Sequence, residues 1–184
     1  MIRETQHVDA RKLRDAFGTF PTGVTVITCL RRDGAAVGVT ANSFVSLSLC
    51  PPLVSVALHQ AAHHLRAFMD SGTFAINVLR ADQHYLSNVF ARPSDWSWKD
   101  VHYHVSQSGH LILDGVAASF LCRLAAWHPV GDHMLLVGAI DHFAHNSKVD
   151  PLAFCHGRYG TFRLATHTPT LEPIDLLSSA IGWG

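Results

Sequence analysis

Short runs of β-branched and other apolar residues, each bounded by turn residues, dominate the chain. Val24 to Leu30 (VTVITCL) predicts a strand, after the turn Phe20-Pro21-Thr22-Gly23. Arg31-Arg32-Asp33-Gly34 reads as a hairpin turn and Ala35 to Ala41 as the returning strand. Asn42 to Leu49 (NSFVSLSL) roughly alternates, with Phe44, Val45, Leu47 and Leu49 against Ser43, Ser46 and Ser48. Pro51-Pro52 interrupts, and Leu53 to Leu58 resumes as a buried strand. Thr73 to Leu79, Ala117 to Trp127 and Met134 to Phe143 are further strands, the last two joined by a turn over residues 128–132 with Pro129 and Gly131 as breakers. A final strand runs near Leu152 to His156, followed by Gly157 and a stretch from Tyr159 to Leu164.

Helical spacing occurs in only three short places. Asp9 is a candidate N-cap, Leu13 and Phe17 lie four apart, and Gly18 ends the first helix. Ala61 to Asp70 puts Leu65, Phe68 and Met69 on one face, and Asp82 to Phe90 turns Leu86, Val89 and Phe90 inward. Residues 91–108, with Pro93, Trp96 and Trp98, are the least regular stretch. Strands joined by hairpins, without the strand–helix alternation of a parallel sheet, predict a mainly β fold with short helices, a closed or partly closed antiparallel barrel. The barrel domain is expected to span residues 1–164, and residues 165–184, with two prolines, to form a C-terminal tail.

A chain of 184 residues that is 48% apolar and 15% charged buries a core and is not intrinsically disordered. The low charge also predicts a surface covered by a second subunit. Fourteen basic and fourteen acidic residues cancel, which gives no field for nucleic acid or anionic lipid. No apolar run is long enough to span a membrane, and the polar start Met1-Ile2-Arg3-Glu4 is unlike a signal peptide, so the expected location is cytoplasmic. Cys29, Cys50, Cys122 and Cys155 have no paired spacing and read as buried thiols.

No G-x-G-x-x-G, P-loop, H-E-x-x-H or G-x-S-x-G motif is present. Fourteen histidines include the groups His59, His63 and His64, His102 and His104, and His142 and His145, but none sits in a recognised ligand motif, so no metal site is expected. Val39 to Leu49 packs a threonine, an amide and three serines among apolar residues. Such groups suit the polar edge of a flat heteroaromatic ligand; an edge strand with a wet serine face explains them equally. Gly131-Asp132-His133 marks the tip of the longest hairpin, and His133 is either a ring touching a ligand or a solvated turn residue.

Taken in order, residues 20–28 (FPTGVTVIT), 40–49 (TANSFVSLSL), Pro51-Pro52-Leu53-Val54, 74–79 (FAINVL), Phe90-Ala91-Arg92, Gly131-Asp132-His133 and Pro151-Leu152 with Gly157 and Tyr159 resemble the flavin reductase family of FMN-binding split barrels. These are the reductase components of two-component flavin monooxygenases. The similarity covers roughly residues 10–164. It implies an antiparallel split β-barrel of the FMN-binding type. It also implies NAD(P)H-dependent reduction of FMN or FAD, with NADH or NADPH as donor, in a homodimer that feeds reduced flavin to a monooxygenase. The hydride chemistry belongs to the cofactors, so the protein needs to stack two rings and needs no nucleophile of its own.

By the same resemblance Val39, Thr40, Ala41, Asn42, Ser43, Val45 and Ser46 contact the flavin. Gln60, Ala61 and Ala62, expected to open a helix, meet the ribityl phosphate, with Arg66 and Arg92 as its charge partners. His133, with His156, Gly157, Arg158 and Tyr159, approaches the nicotinamide nucleotide. Two departures bear on flavin preference: Ala61-Ala62-His63-His64 replaces the family's hydroxyls, and Cys50 stands where Asp is usual. A non-enzymatic flavin- or haem-binding barrel is the alternative, with a histidine as iron ligand. A third is an interaction barrel without a cofactor.

Overall fold

The computed structural model describes residues 8–92 and 98–163. Pro93, Trp96, Leu164 and the tail over 165–184 lie outside the described residues, as does the boundary expected after residue 164. Among the described residues three α-helices, α1 (Ala10–Phe17), α2 (Leu65–Ser71) and α3 (His84–Ala91), accompany twelve strands. These are β1 (Thr22–Gly23), β2 (Thr25–Leu30), β3 (Ala36–Ala41), β4 (Val45–Leu49), β5 (Pro52–His59), β6 (Thr73–Val78), β7 (Tyr103–Val105), β8 (Leu111–Leu113), β9 (Ala118–Val130), β10 (His133–His145), β11 (Leu152–Cys155) and β12 (Arg158–Thr161). Seven strands form one antiparallel sheet in the order β3-β2-β6-β9-β10-β5-β4. The sheet curls so that β3 approaches β5 without pairing with it, which leaves the barrel split.

Strand β2 shows why the sequence folds this way. It is buried on both faces. Ile27 and Cys29 join Val54, Val56, Phe68, Phe74 and Leu136 in the barrel interior, which α2 closes. Val24 and Val26 face the other way into a second cluster with Leu79, Leu86, Phe90, Leu111 and Leu113, under α3 and the small β7–β8 sheet. A strand covered on both faces needs a nearly continuous apolar run, as VTVITCL provides. Its buried threonines are satisfied: the Thr25 hydroxyl donates to Ala41 O at 2.6 Å and Thr28 to Leu111 O at 2.5 Å. Asn77 donates to Val26 O at 3.0 Å and accepts from the Leu113 amide at 3.0 Å, which ties β8 to the sheet. Gly138 lies where an added Cβ would stand 2.6 Å from the Phe74 ring, so only glycine lets β10 pass there.

Several expectations are corrected. Helix α2 opens at Leu65, not Ala61, because residues 60–64 are spent on turns against the β9–β10 hairpin. Strand β4 begins at Val45; Asn42 to Phe44 form a bend. The long hairpin keeps its ladder to Val130 and turns only on Gly131-Asp132. Pro129 fits in β9 because the Val130–His133 pair that closes a two-residue loop is hydrogen-bonded, so the next pair, Pro129–Met134, needs no donor. The strand expected near Leu152 to His156 is β11 and ends at Cys155, and His156-Gly157 is a two-residue turn into a further strand, β12. Thr22 and Gly23, expected in a turn, pair with β11. The irregular stretch hides a 3₁₀ turn, Trp98–Asp100, and strand β7, whose partner β8 lies just beyond it. Helix α1 forms with the Asp9 cap as expected, but Leu13 and Phe17 are exposed. Cys29 and Cys122 are buried, and burial pushes both thiols up to about 12. Cys50 is exposed in the β4–β5 turn and Cys155 is half-buried, so the expectation of four buried thiols is also corrected.

Candidate functional site

Three cavities adjoin along one flank of the barrel. The first, about 210 Å³, lies between β3 and the β11–β12 hairpin and is lined by Thr40, Ala41, Asn42, Ser87, Phe154 and Tyr159. It shares Ala91 with the second, about 130 Å³, where Val39, Leu58, Ala62, Phe90 and Arg92 meet. Ala62 and His63 carry the second into a third of about 460 Å³ that holds Gln60 and Arg66. Together they form a concave band with apolar walls, a polar edge at Thr40 and Asn42, Arg92 in its middle and Arg66 at the end away from that edge. That combination fits a flat ring carrying a phosphorylated chain.

Much of the polar chemistry expected of this band is already engaged. The Thr40 hydroxyl donates to Ser87 O at 2.8 Å. The Ser43 hydroxyl donates to Ala57 O at 2.8 Å and accepts from the Ala57 amide at 3.0 Å, continuing the β4–β5 pairing past the end of β4. Val45 and Ser46 lie on the exposed edge strand and line none of the three cavities. The amides of Gln60, Ala61 and Ala62 are bonded to Asp132 O, His59 Nδ1 and His59 O, at 2.9, 3.0 and 2.8 Å. They are therefore neither a helix N-terminus nor free to take a phosphate. Arg66, Nε 3.7 Å from Asp70, and Arg92 remain as exposed cationic groups beside the band.

His133 lines none of these cavities but sits beside Gln60, whose side-chain amide donates to Gly131 O at 3.0 Å and His133 O at 3.3 Å. The His133 Nδ1 lies 2.6 Å from Asp132 Oδ1. Since a carboxylate only accepts, Nδ1 carries the proton and Nε2 is left as acceptor or second donor. Asp132 Oδ2 also faces His59 Nε2 at 3.7 Å, and the two imidazoles meet edge-on at 5.2 Å. His59 Nδ1 is occupied by the Ala61 amide, which fixes its proton on Nε2, toward Asp132. The hydrogen bond from His133, more than charge, holds the Asp132 carboxyl below the usual carboxylate range.

At the other end, His156 and Gly157 form the β11–β12 turn with φ of +50° and +73°. His156, Gly157 and Arg158 are exposed and line none of the three cavities; of that stretch only Tyr159 does. Its hydroxyl donates to Ser87 Oγ at 2.8 Å. Ser87, which sits inside α3 and links Thr40 and Tyr159, and His59 as a partner of Asp132 were missed; Ser87 carries no sequence signal, and His59 only its place at the end of β5. Among the described residues no three His, Cys, Asp or Glu side chains converge as a metal site would require.

Comparisons with known proteins point one way. Residues 17–163 match the family model described as a flavin reductase like domain. The chain is 38% identical over 169 residues to the reductase component of a flavin-dependent trigonelline monooxygenase of Acinetobacter baylyi, covering 92% of this chain and 52% of that one. It is 40% identical over 154 residues to the FMN reductase (NADH) SmoA of Agrobacterium fabrum, covering 84% and 87%. Among solved structures it is similar to the NADH:FAD oxidoreductase SgcE6 of Streptomyces globisporus, in complex with NAD and FAD fragments, with a TM-score of 0.81, 30% identity and coverage of 89% and 100%. The chain thus spans about half the length of some relatives and nearly all of others.

Proposed function

The chain belongs to the flavin reductase like domain family, and from that premise we propose that it is an NAD(P)H:flavin oxidoreductase that reduces FMN or FAD for a partner flavin-dependent monooxygenase. The continuous band from Tyr159 past Val39 and Arg92 to Gln60 carries the reading, because it is long and apolar enough for a flavin and its phosphate chain. The relatives' names support it: a reductase component of a monooxygenase and an FMN reductase (NADH). Bound flavin would supply the hydride acceptor and the nicotinamide the hydride, so the protein's task is placement. Val39 to Asn42 hold the ring edge through β3. Arg66 and Arg92 neutralise phosphate, with less help from backbone amides than the sequence suggested. His133, its Nδ1 fixed by Asp132, presents Nε2 to the nicotinamide carboxamide. Ser43 serves the site by holding the bend on β5. Val45, Ser46, His156 and Arg158 take part at its margin, where a second subunit closes it.

Apolar surface left open in one copy supports a homodimer. Phe17 is 70% exposed, Phe20 74%, Leu49 68% and Phe143 69%. No helix among the described residues is long and apolar enough to cross a membrane. The free cysteines agree with a reducing cytoplasm. Purified protein mixed with FMN or FAD should bleach the flavin absorption on addition of NADH or NADPH. A haem Soret band with no flavin bleaching would overturn the reading. Sedimentation at micromolar concentration should give a dimer, and a monomer would remove that part.

A further inference from the structure

We propose that the recess between the β2–β3 turn and helix α2 seats an adenosine diphosphate group, so that this chain binds FAD in preference to FMN. The inference rests on the flavin reading above. The recess is a cavity of about 410 Å³, within the usual range for small-molecule sites. It is lined by Arg31, Arg32 and Arg66 together with His63 and His64. Guanidinium groups grip phosphate oxygens in pairs and stack on flat rings.

Two carboxylates share the space. Asp33 pairs with Arg31 at 3.0 Å, and Asp70 faces Arg66 at 3.7 Å. Arg32, exposed on the turn, has no ion-pair partner among the described residues. Three guanidinium groups against two carboxylates leave a positive balance with the histidines neutral. Burial, then the neighbouring His63 and Arg31, hold His64 below the ordinary histidine value, in keeping with a surrounding that resists a further cation. Carboxylates repel a bare phosphate ion but accept hydrogen bonds from an adenine amino group or ribose hydroxyls. Cations beside acceptors therefore suit an adenylate better than an inorganic anion.

Position favours the flavin as its source. His63 and His64 line both this recess and the cavity that holds Val39 and Arg92. A flavin lying in the band brings its first phosphate to Arg66, which lines both the band and the recess, and the groups beyond that phosphate, which FMN lacks and FAD has, extend toward Arg31 and Arg32. NADH and NADPH also carry an adenosine diphosphate group, but His133, where the nicotinamide is proposed to sit, adjoins Gln60, and neither residue lines the recess.

The test is the dissociation constant of FMN and of FAD, by quenching of flavin fluorescence, for the wild-type chain and for Arg32→Ala, without nicotinamide. FAD should bind about tenfold tighter than FMN to the wild type, and most of that preference should vanish in the variant. Arg32→Lys should restore part of it. Circular dichroism establishes folding, and Arg32→Gln takes the place of a variant that does not fold. Equal affinity of the wild type for the two flavins, or equal loss of both in the variant, overturns the inference while leaving the reductase reading intact. An Arg32→Ala change confined to the Michaelis constant of NADH or NADPH, with the FAD preference kept, would assign the recess to the nicotinamide nucleotide and also overturn it. Failure of both flavins to bind folded wild type would instead remove the reductase reading.

Discussion

The β9–β10 and β11–β12 hairpins both turn on two residues, and each presents a histidine at its tip. In the first, Gly131 takes the positive φ and Asp132 is left to act through its side chain, facing His133 on one oxygen and His59 on the other. In the second, His156 itself takes a φ of +50°, and its ring has no hydrogen-bond or ion-pair partner among the described residues. One tip fixes a ring through bonds that also assign its proton. The other spends its histidine on backbone geometry that glycine would adopt more easily. A histidine at a hairpin tip is thus not evidence of a role; the partners of its ring are.

The largest effect that would sharpen this contrast is expected from His133→Ala. It should lower kcat/KM for the nicotinamide substrate by about 5- to 150-fold, with flavin affinity little changed. Stopped-flow flavin reduction checks it, and wild-type kinetics in a folded variant would erase the distinction between the tips. Asp132→Asn keeps an acceptor for His133 Nδ1 but removes the charge, and should cost about fivefold in the same measurement. Because its native value is depressed, the charged Asp132 stabilises the fold above the unfolded carboxylate value, and that contribution is lost as pH falls through the native value. Any melting-temperature advantage of wild type over Asp132→Asn should therefore shrink below about pH 4. His156→Gly relieves the left-handed backbone and should raise stability by about 0.5–1 kcal/mol, read by thermal melting. The smallest effect is expected from His59→Phe, about twofold in flavin reduction, since it removes only the outer partner of Asp132. A loss as large as that of His133→Ala would mean that His59, not Asp132, orders the site.

The strands were legible because their chemistry is local. VTVITCL could be little else than a buried strand, and Gly131-Asp132 marked the tip of the long hairpin, although the turn was expected to span residues 128–132. Pro129 misled because the penalty of proline in a strand depends on which neighbour its nitrogen faces, a property of register. The start of α2 was misplaced because Ala61-Ala62 are good helix formers, whereas His59 and Asp132, the latter distant in sequence, claim the amides around them. The small polar groups of residues 40–46 fit a ligand edge and a wet serine face equally, and the family resemblance implies flavin contacts. The Thr40 and Ser43 hydroxyls bond to backbone from α3 and β5, and a hydroxyl's choice between ligand and backbone is invisible without its neighbours.

Helix α1 has no buried residue among its eight. So short a helix does not persist in water on its own, and Asp9 at its start contributes only about 1 kcal/mol. With the dimer proposed above, its order is acquired on association and becomes a second-order property. Deuterium uptake by the α1 amides should then slow as the protein is concentrated, while uptake in β2 and β6, inside the barrel, stays independent of dilution.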